Sequence, residues 1–286
     1  MLHSIGVAPV TQHLGGSMSR YWGKNIIIDG SIIREEFEDP LPTMGPPRMV
    51  TNDTTNPNAP AYESDTQDVF RQIDRTAVGG ILIRQINTSP HTLTIRALNE
   101  RASLDKIKTI WADEGQTGER AANRGGGGTD VTIRYEPKAW SQPSVKASID
   151  PANHFHADDV LFHELVHALR MLRGLMDLVP IRDWDNMEDL FAIMLTNIYN
   201  SSNNRNNDLR GDHRLPFHVL GNSPLRPTEQ IDEEGFYTRF STDINRLWLS
   251  LPDLCGGISR VSCHWNPLRA RVNLMNNRIF PVPQAS

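Results

Sequence analysis

Residues 158–169 read Asp158-Asp159-Val160-Leu161-Phe162-His163-Glu164-Leu165-Val166-His167-Ala168-Leu169. Apolar residues recur at three- and four-residue steps, and Gly174 stands just past the run. The spacing predicts a helix over residues 158–173 that stops at this glycine. His163 and His167 lie one turn apart on it, about 40° around the wheel, so both imidazoles project from one face. Two imidazoles so placed can reach one small cation, and Zn2+ suits nitrogen donors of this kind. Glu164, beside the first histidine, stands where a general base takes a proton from a water activated by such a metal. Val160, Leu161, Leu165, Val166, Ala168, Leu169 and Leu172 centre on one face, with the two histidines roughly 160° away. That separation argues against histidines packed inside an apolar stripe. Exposed surface histidines are the remaining bland reading, which leaves Glu164 unexplained.

A third ligand must come from elsewhere. A Gly-x-x-His or Gly-x-x-Asp extension of the motif is excluded, because Arg170 and Arg173 occupy the required positions. A glutamate on the following helix is the other common arrangement, and Glu188 follows His167 by 21 residues (188 − 167). Residues 186–200 predict that helix, capped by Asp185 or Asn186, with Met187, Leu190, Phe191, Met194, Leu195 and Ile198 as its apolar stripe. Glu188 lies on the flank of the stripe and can turn toward the first helix. Asp189 points nearly opposite, to solvent or to a place behind the ligands. The alternative for Glu188 is a first-turn carboxylate favoured by the helix dipole.

Upstream, residues 129–135 (Thr-Asp-Val-Thr-Ile-Arg-Tyr) alternate Val131, Ile133 and Tyr135 with polar residues, which predicts a half-buried strand closed by Pro137. As a sheet edge over the metal helix it can pair with an extended peptide, and the preceding Gly125–Gly128 run keeps the approach open. An ordinary edge strand is the equal alternative. Candidate donors to a transition-state oxyanion are Tyr199, His213 and Arg210, with Asp212 able to orient His213 and a solvated loop favoured for Arg210. His154 and His156 read as loop residues, and Met171, Met176 and Met194 as gap-fillers.

The first sixty residues read as a poorly ordered leader or linker. Residues 39–61 crowd proline beside Asn and Thr, and only residues 25–28 and 31–33, around Asp29-Gly30, suggest a hairpin. A helix follows over about 65–77, ended by Gly79-Gly80, then strands at 81–86 and 93–97 in a second hairpin. A further helix falls within 228–249. The chain thus divides into a leader, 1–60, and one domain, 61–286, with its core at about 65–250. The expected fold is α+β: a small antiparallel or mixed sheet, an edge strand over a metal-binding helix, and further helices.

Bulk properties set bounds. With 286 residues, 38% hydrophobic and 22% charged, the chain has globular composition and can bury a real core. A net charge of −5 offers no basic field to nucleic acid or anionic lipid. No window approaches the ~18 apolar residues of a membrane span. Residues 1–19 lack the pattern of a cleaved signal peptide. Two cysteines, Cys255 and Cys263, make no disulfide scaffold, as in a reducing compartment or for an incidental pair.

Taken in order, the glycine-rich lead, the TDVTIRYEP strand, the connection containing Trp140, DDVLFHELVHALR, and MEDLFAIMLTNIYNS with LRGDHR resemble bacterial effector zinc metallopeptidases. These comprise the NleD-like type III effectors and the related peptidase extension of a type VI secretion spike protein. The resemblance covers roughly residues 65–215 and is sharpest at 158–170 and 186–213. It implies a minimal zincin fold, one Zn2+ per chain, and export through a dedicated secretion system without a cleaved signal peptide, for action in a host or target cell. It makes His163 and His167 zinc ligands, Glu164 the base and Glu188 the third ligand. Expected partners are a protein or peptide substrate and secretion machinery or an adaptor, which residues 1–60 could engage. Type III members resemble proteases that cut host signalling kinases. That substrate does not transfer, because after the metal helix the MEDLFA pattern is closer to the type VI kind. Two further readings stand beside a gluzincin-like protease: a zinc hydrolase of another amide, such as a cell-wall amide, and a non-catalytic zincin-shaped binding module. Retention of Glu164 argues against the last.

Overall fold

Ile26, Ile28, Leu93, Ile95, Val131 and Ile133 are all at most 1% exposed, and together they mark the middle of a six-stranded sheet. The computed structural model describes residues 11–14, 17–38, 49–98, 108–111, 116–138, 156–181, 184, 186–210 and 232–279. Strands β1 (Thr11–Leu14), β2 (Ser17–Trp22), β3 (Ile26–Asp29), β6 (Leu93–Ala97), β7 (Lys108–Trp111) and β8 (Val131–Tyr135) run in the order β1-β2-β3-β6-β8-β7. The pairs β3/β6 and β6/β8 are parallel and the rest antiparallel, so the sheet is mixed. Strands β4 (Ile32–Glu38) and β5 (Met49–Thr55) form a separate antiparallel pair.

Among the described residues there are nine α-helices: α1 (Ala59–Asp74), α2 (Ala77–Asn87), α3 (Gln116–Ala122), α4 (Ala157–Leu172), α5 (Met187–Ser202), α6 (Glu233–Arg239), α7 (Ser241–Ser250), α8 (Pro252–Ser259) and α9 (Pro267–Ile279). The architecture is mixed α/β. Helix α4 is its axis: it packs on β7 and β8, on α1, α2 and α3, and on α5. No helix of the described residues is long and apolar enough to cross a membrane.

Helices α4 and α5 form where the sequence places them. Gly174 takes φ +62° at the end of α4, and the Asn186 side chain caps α5 by accepting from Asp189 N at 3.1 Å. The helix expected within 228–249 is two helices, α6 and α7, and the unassigned C-terminal stretch folds into α8 and α9.

Four expectations need correction. Residues 25–33 do form strands, but not a hairpin. Asp29 Oδ1 accepts from Ser31 N at 3.0 Å, Gly30 N donates to Glu63 Oε1 at 3.2 Å, and a Cβ at Gly30 would lie 2.8 Å from the Ala59 carbonyl oxygen. The chain therefore bends around the start of α1, sending β3 into the main sheet and β4 to β5. Ile26–Asp29, expected as half of that hairpin, is a strand paired on both sides. Residues 81–86 are helical rather than extended. Thr76 Oγ1 caps α2 by accepting from Gly79 N at 2.9 Å, and Val78, Leu82, Ile83 and Ile86 are buried with helical spacing. Gly79 does not stop a helix; it starts one, because a Cβ there would meet the Ile73 carbonyl oxygen at 2.1 Å.

The third correction concerns β8. It is not an edge: β6 pairs on one side and β7 on the other. All five residues, Thr132 and Arg134 included, are buried. Tyr135 Oη donates to the Ala157 carbonyl at 2.9 Å, so Val131, Ile133 and Tyr135 share the face that packs beneath α4. They belong to the core, not to a peptide-binding rim. Fourth, Gly126 and Gly128 of the glycine run pack closely, beside α3 and the end of α4, while Gly125 and Gly127 have open space around them. A Cβ on Gly128 would meet Leu172 O at 2.2 Å, and one on Gly174 would meet Gly126 O at 2.3 Å.

Candidate active site

Helix α4 carries the two histidines into the interior. His163 is 5% exposed and Glu164 9%. The sequence wheel puts the histidines opposite the apolar stripe, yet that side is enclosed too, because elements pack all around the helix. His163 Nε2 and His167 Nε2 lie 3.1 Å apart, with ring planes at 79°. Two nitrogens each about 2.05 Å from a tetrahedral zinc would be roughly 3.3 Å apart, so this separation fits the bite of one such ion. The donor chemistry fits as well, since imidazole nitrogens are ordinary zinc ligands.

Carboxylates surround His167. Burial alone would lower its pKa, but Glu188 and the charges of Glu164 and Asp189 raise it, and the net direction is up. Glu188 Oε2 faces His167 Nδ1 at 3.7 Å. Both Glu188 oxygens accept from Arg170 Nε, at 2.7 and 2.8 Å, and Oε1 also accepts from Asp177 N at 2.7 Å. Burial would push the Glu188 carboxyl up, but the Arg170 guanidinium and His167 hold it below its usual range.

The structure thus brings His163, Glu164, His167 and Glu188 into one neighbourhood. Glu188 stands at the Nδ1 side of His167, whereas the two histidines meet through Nε2. Among the described residues, no group of three or more His, Cys, Asp or Glu is gathered as a metal would require. Asp189, expected to face away, is 7% exposed, and its charge acts on His167. Sequence reasoning missed Arg170 and Asp177. The signal for Arg170 was available, since it lies one turn beyond His167 on the same helix.

The two described oxyanion candidates, Tyr199 and Arg210, are engaged by carboxylates at the start of α4. Tyr199 is fully buried, stacks on Phe162 at 4.4 Å between ring centroids, and donates its hydroxyl to Asp158 Oδ2 at 2.7 Å. Its proton is committed to a carboxylate at the start of α4, so it anchors α5 to α4 and does not offer itself to a substrate. Arg210 is not on a solvated loop: it is 4% exposed and pairs with buried Asp159. Asn197 fixes that segment by a two-way exchange with the Arg210 backbone, at 2.8 and 2.7 Å. Burial raises the Asp159 carboxyl and Arg210 offsets part of the rise. His156 Nε2 contacts Asp208 Oδ2 at 3.1 Å, tying the same loop to the N-terminus of α4. His213, Asp212 and His154 lie outside the described residues. Met171, Met176 and Met194 are buried in the core, as gap-fillers are.

Comparison with protein families matches residues 51–216 to the effector-protein family Peptidase_M91. A search of curated proteins returns no match.

Proposed function

The chain belongs to the Peptidase_M91 effector-protein family, and from that premise we propose that it is a zinc-dependent endopeptidase of minimal zincin architecture. The observation that carries this reading is the 3.1 Å approach of His163 Nε2 and His167 Nε2 on one buried helix, with Glu164 between them in sequence. These two nitrogens would hold the ion. Bound zinc lowers the pKa of water toward ~7 and polarises a scissile carbonyl. Glu164 accepts the proton of the attacking water and passes it to the leaving amine. Burial of the site excludes bulk water, which strengthens each of these electrostatic contributions. An extended substrate would add to β7, the outermost strand beyond β8 among the described residues, which packs against α4.

Family membership supports a protein substrate and action as an effector. On this reading a bacterium delivers the protein into a target cell through a type III or type VI machine, and residues 1–60 carry the delivery or adaptor segment. The test is metal analysis of the wild type beside Glu164→Ala. Stoichiometric zinc in both, with peptide hydrolysis lost only in the variant, is expected. A wild type purified without chelators, offered zinc and still metal-free, would refute the proposal. Hydrolysis of cell-wall amides but of no peptide would redirect it to another zinc hydrolase.

A further inference from the structure

We propose that Arg170 and Glu188 are a positioning pair that sets the tautomer and orientation of His167, with Glu188 acting from behind the ring and not as a metal ligand. The inference rests on the zinc reading above and concerns how the same site is held.

Three hydrogen bonds from two donors, in separate parts of the chain, fix the Glu188 carboxylate. Arg170 Nε, on α4, spans both oxygens, and the amide of Asp177, in the α4–α5 connection, donates to Oε1. Arg170 is itself held. Its Nη2 donates to the Leu175 carbonyl at 2.5 Å and its guanidinium lies 4.6 Å from the centre of the Phe191 ring. The two side chains are 4% and 3% exposed. In this frame Oε2 faces His167 Nδ1 at 3.7 Å.

At 3.7 Å the Glu188 carboxylate acts on Nδ1 through its charge and not through a formed hydrogen bond; a negative charge on that side favours the proton on Nδ1 and leaves the Nε2 lone pair free. Nε2 is the atom that faces His163, so the tautomer that Glu188 favours is the one a shared metal needs. The same geometry argues against direct ligation. To reach the Nε2 side, Glu188 would have to leave Arg170 and the Asp177 amide, stranding a buried guanidinium without its counter-ion. Neighbours that orient a ligating histidine typically govern metal affinity by about 10- to 100-fold.

The test uses the full chain, loaded with Zn2+ or Co2+, as wild type, Glu188→Gln, Arg170→Met, and the double variant. Zn2+ affinity is read by chelator competition and the ligand set by the visible spectrum of the Co2+ form. The expected result is a 10- to 100-fold weaker Zn2+ affinity in both single variants, with the wild-type Co2+ band positions and intensities retained. The double variant removes both buried charges at once. It keeps the question answerable if Arg170→Met alone folds poorly, as circular dichroism would show, and its Co2+ spectrum should also be that of the wild type. If Glu188 ligates the metal, Glu188→Gln changes the Co2+ spectrum, and Arg170→Met leaves affinity unchanged or tighter by freeing the carboxylate. Either outcome overturns the proposal. A wild type that binds no zinc defeats the peptidase reading itself, which a wild type that binds normally with unaffected variants does not.

Discussion

The substitution Tyr199→Phe removes one oxygen from a buried junction and leaves the ring. The stacking on Phe162 persists, and what is lost is the hydrogen bond to Asp158 Oδ2 at 2.7 Å. Hydrogen bonds to charged groups contribute about 1.5–3 kcal/mol net. Asp158 keeps a second partner, since Arg205 Nη1 lies 3.1 and 2.9 Å from its two oxygens. The lower end of that range, about 1.5 kcal/mol, is therefore expected. In a chain of 286 residues that is a fall in Tm of about 2.5 °C. Urea denaturation followed by circular dichroism measures the loss, and steady-state peptide hydrolysis measures activity. An anchor lowers the denaturation midpoint and leaves kcat nearly intact. A donor to the oxyanion costs about 100- to 1,000-fold in kcat. A drop of that size with an unchanged midpoint would show that Tyr199 turns into the site in solution and that the anchoring argument is wrong.

Three other expectations follow from packing and charge. Gly128→Ala places a methyl group 2.2 Å from Leu172 O at φ +84°, and should cost at least the ~1–3 kcal/mol of a strained backbone residue; a urea midpoint equal to that of the wild type would contradict the close packing of the glycine loop. Arg210→Met leaves the Asp159 carboxylate buried without its partner and should cost about 3–5 kcal/mol, while adding Asp159→Leu recovers much of the loss. Denaturation of the two variants side by side decides this, and equal stabilities would refute it. Alkaline pH should destabilise the fold. Burial raises the Cys255 thiol from 9.0 to about 12 and lifts Tyr62 and Tyr135 well above 10. Groups whose folded pKa is raised stabilise fully below their unfolded pKa and lose that contribution as pH climbs through the folded value. The decline should therefore begin near pH 9 and continue past pH 10, with Tyr62 and Tyr135 ionising only on unfolding; a Tm flat from pH 8 to 11 would contradict it.

Helix α4 was legible because two signals agree on it: helical periodicity and Gly174 just past its end. Helix α5 was legible from its apolar periodicity and from Asn186 as its cap. Helix α2 was not, because Ile81–Ile86 is a short apolar run whose period fits either state. The Thr76 cap and the close approach of Gly79 to Ile73 resolve it, and the second is a tertiary fact. Burial of β8 was hidden because Thr132 and Arg134 imitate a wet face, while the covering elements come from distant parts of the chain. Residue type and spacing singled out His163, Glu164 and His167 as candidates, periodicity pointed to Glu188, and the structure brings the four into one neighbourhood. Sequence could not say which side of the His167 ring Glu188 occupies, because that depends on Arg170 and the Asp177 amide. Nor could it reveal that the Tyr199 hydroxyl is committed to Asp158.

Strand β3 has a practical consequence. It precedes the family match, which begins at residue 51, yet it supplies the parallel partner of β6. A chain trimmed to residues 51–216 would bare the row of amides and carbonyls along Leu93–Ala97, beside side chains that are otherwise fully enclosed. Unpaired apolar strands recruit other strands. Such a fragment is expected to self-associate, visible as a rising light-scattering mass with concentration, whereas the full chain, in which β3 covers β6 and β2 covers β3, is spared.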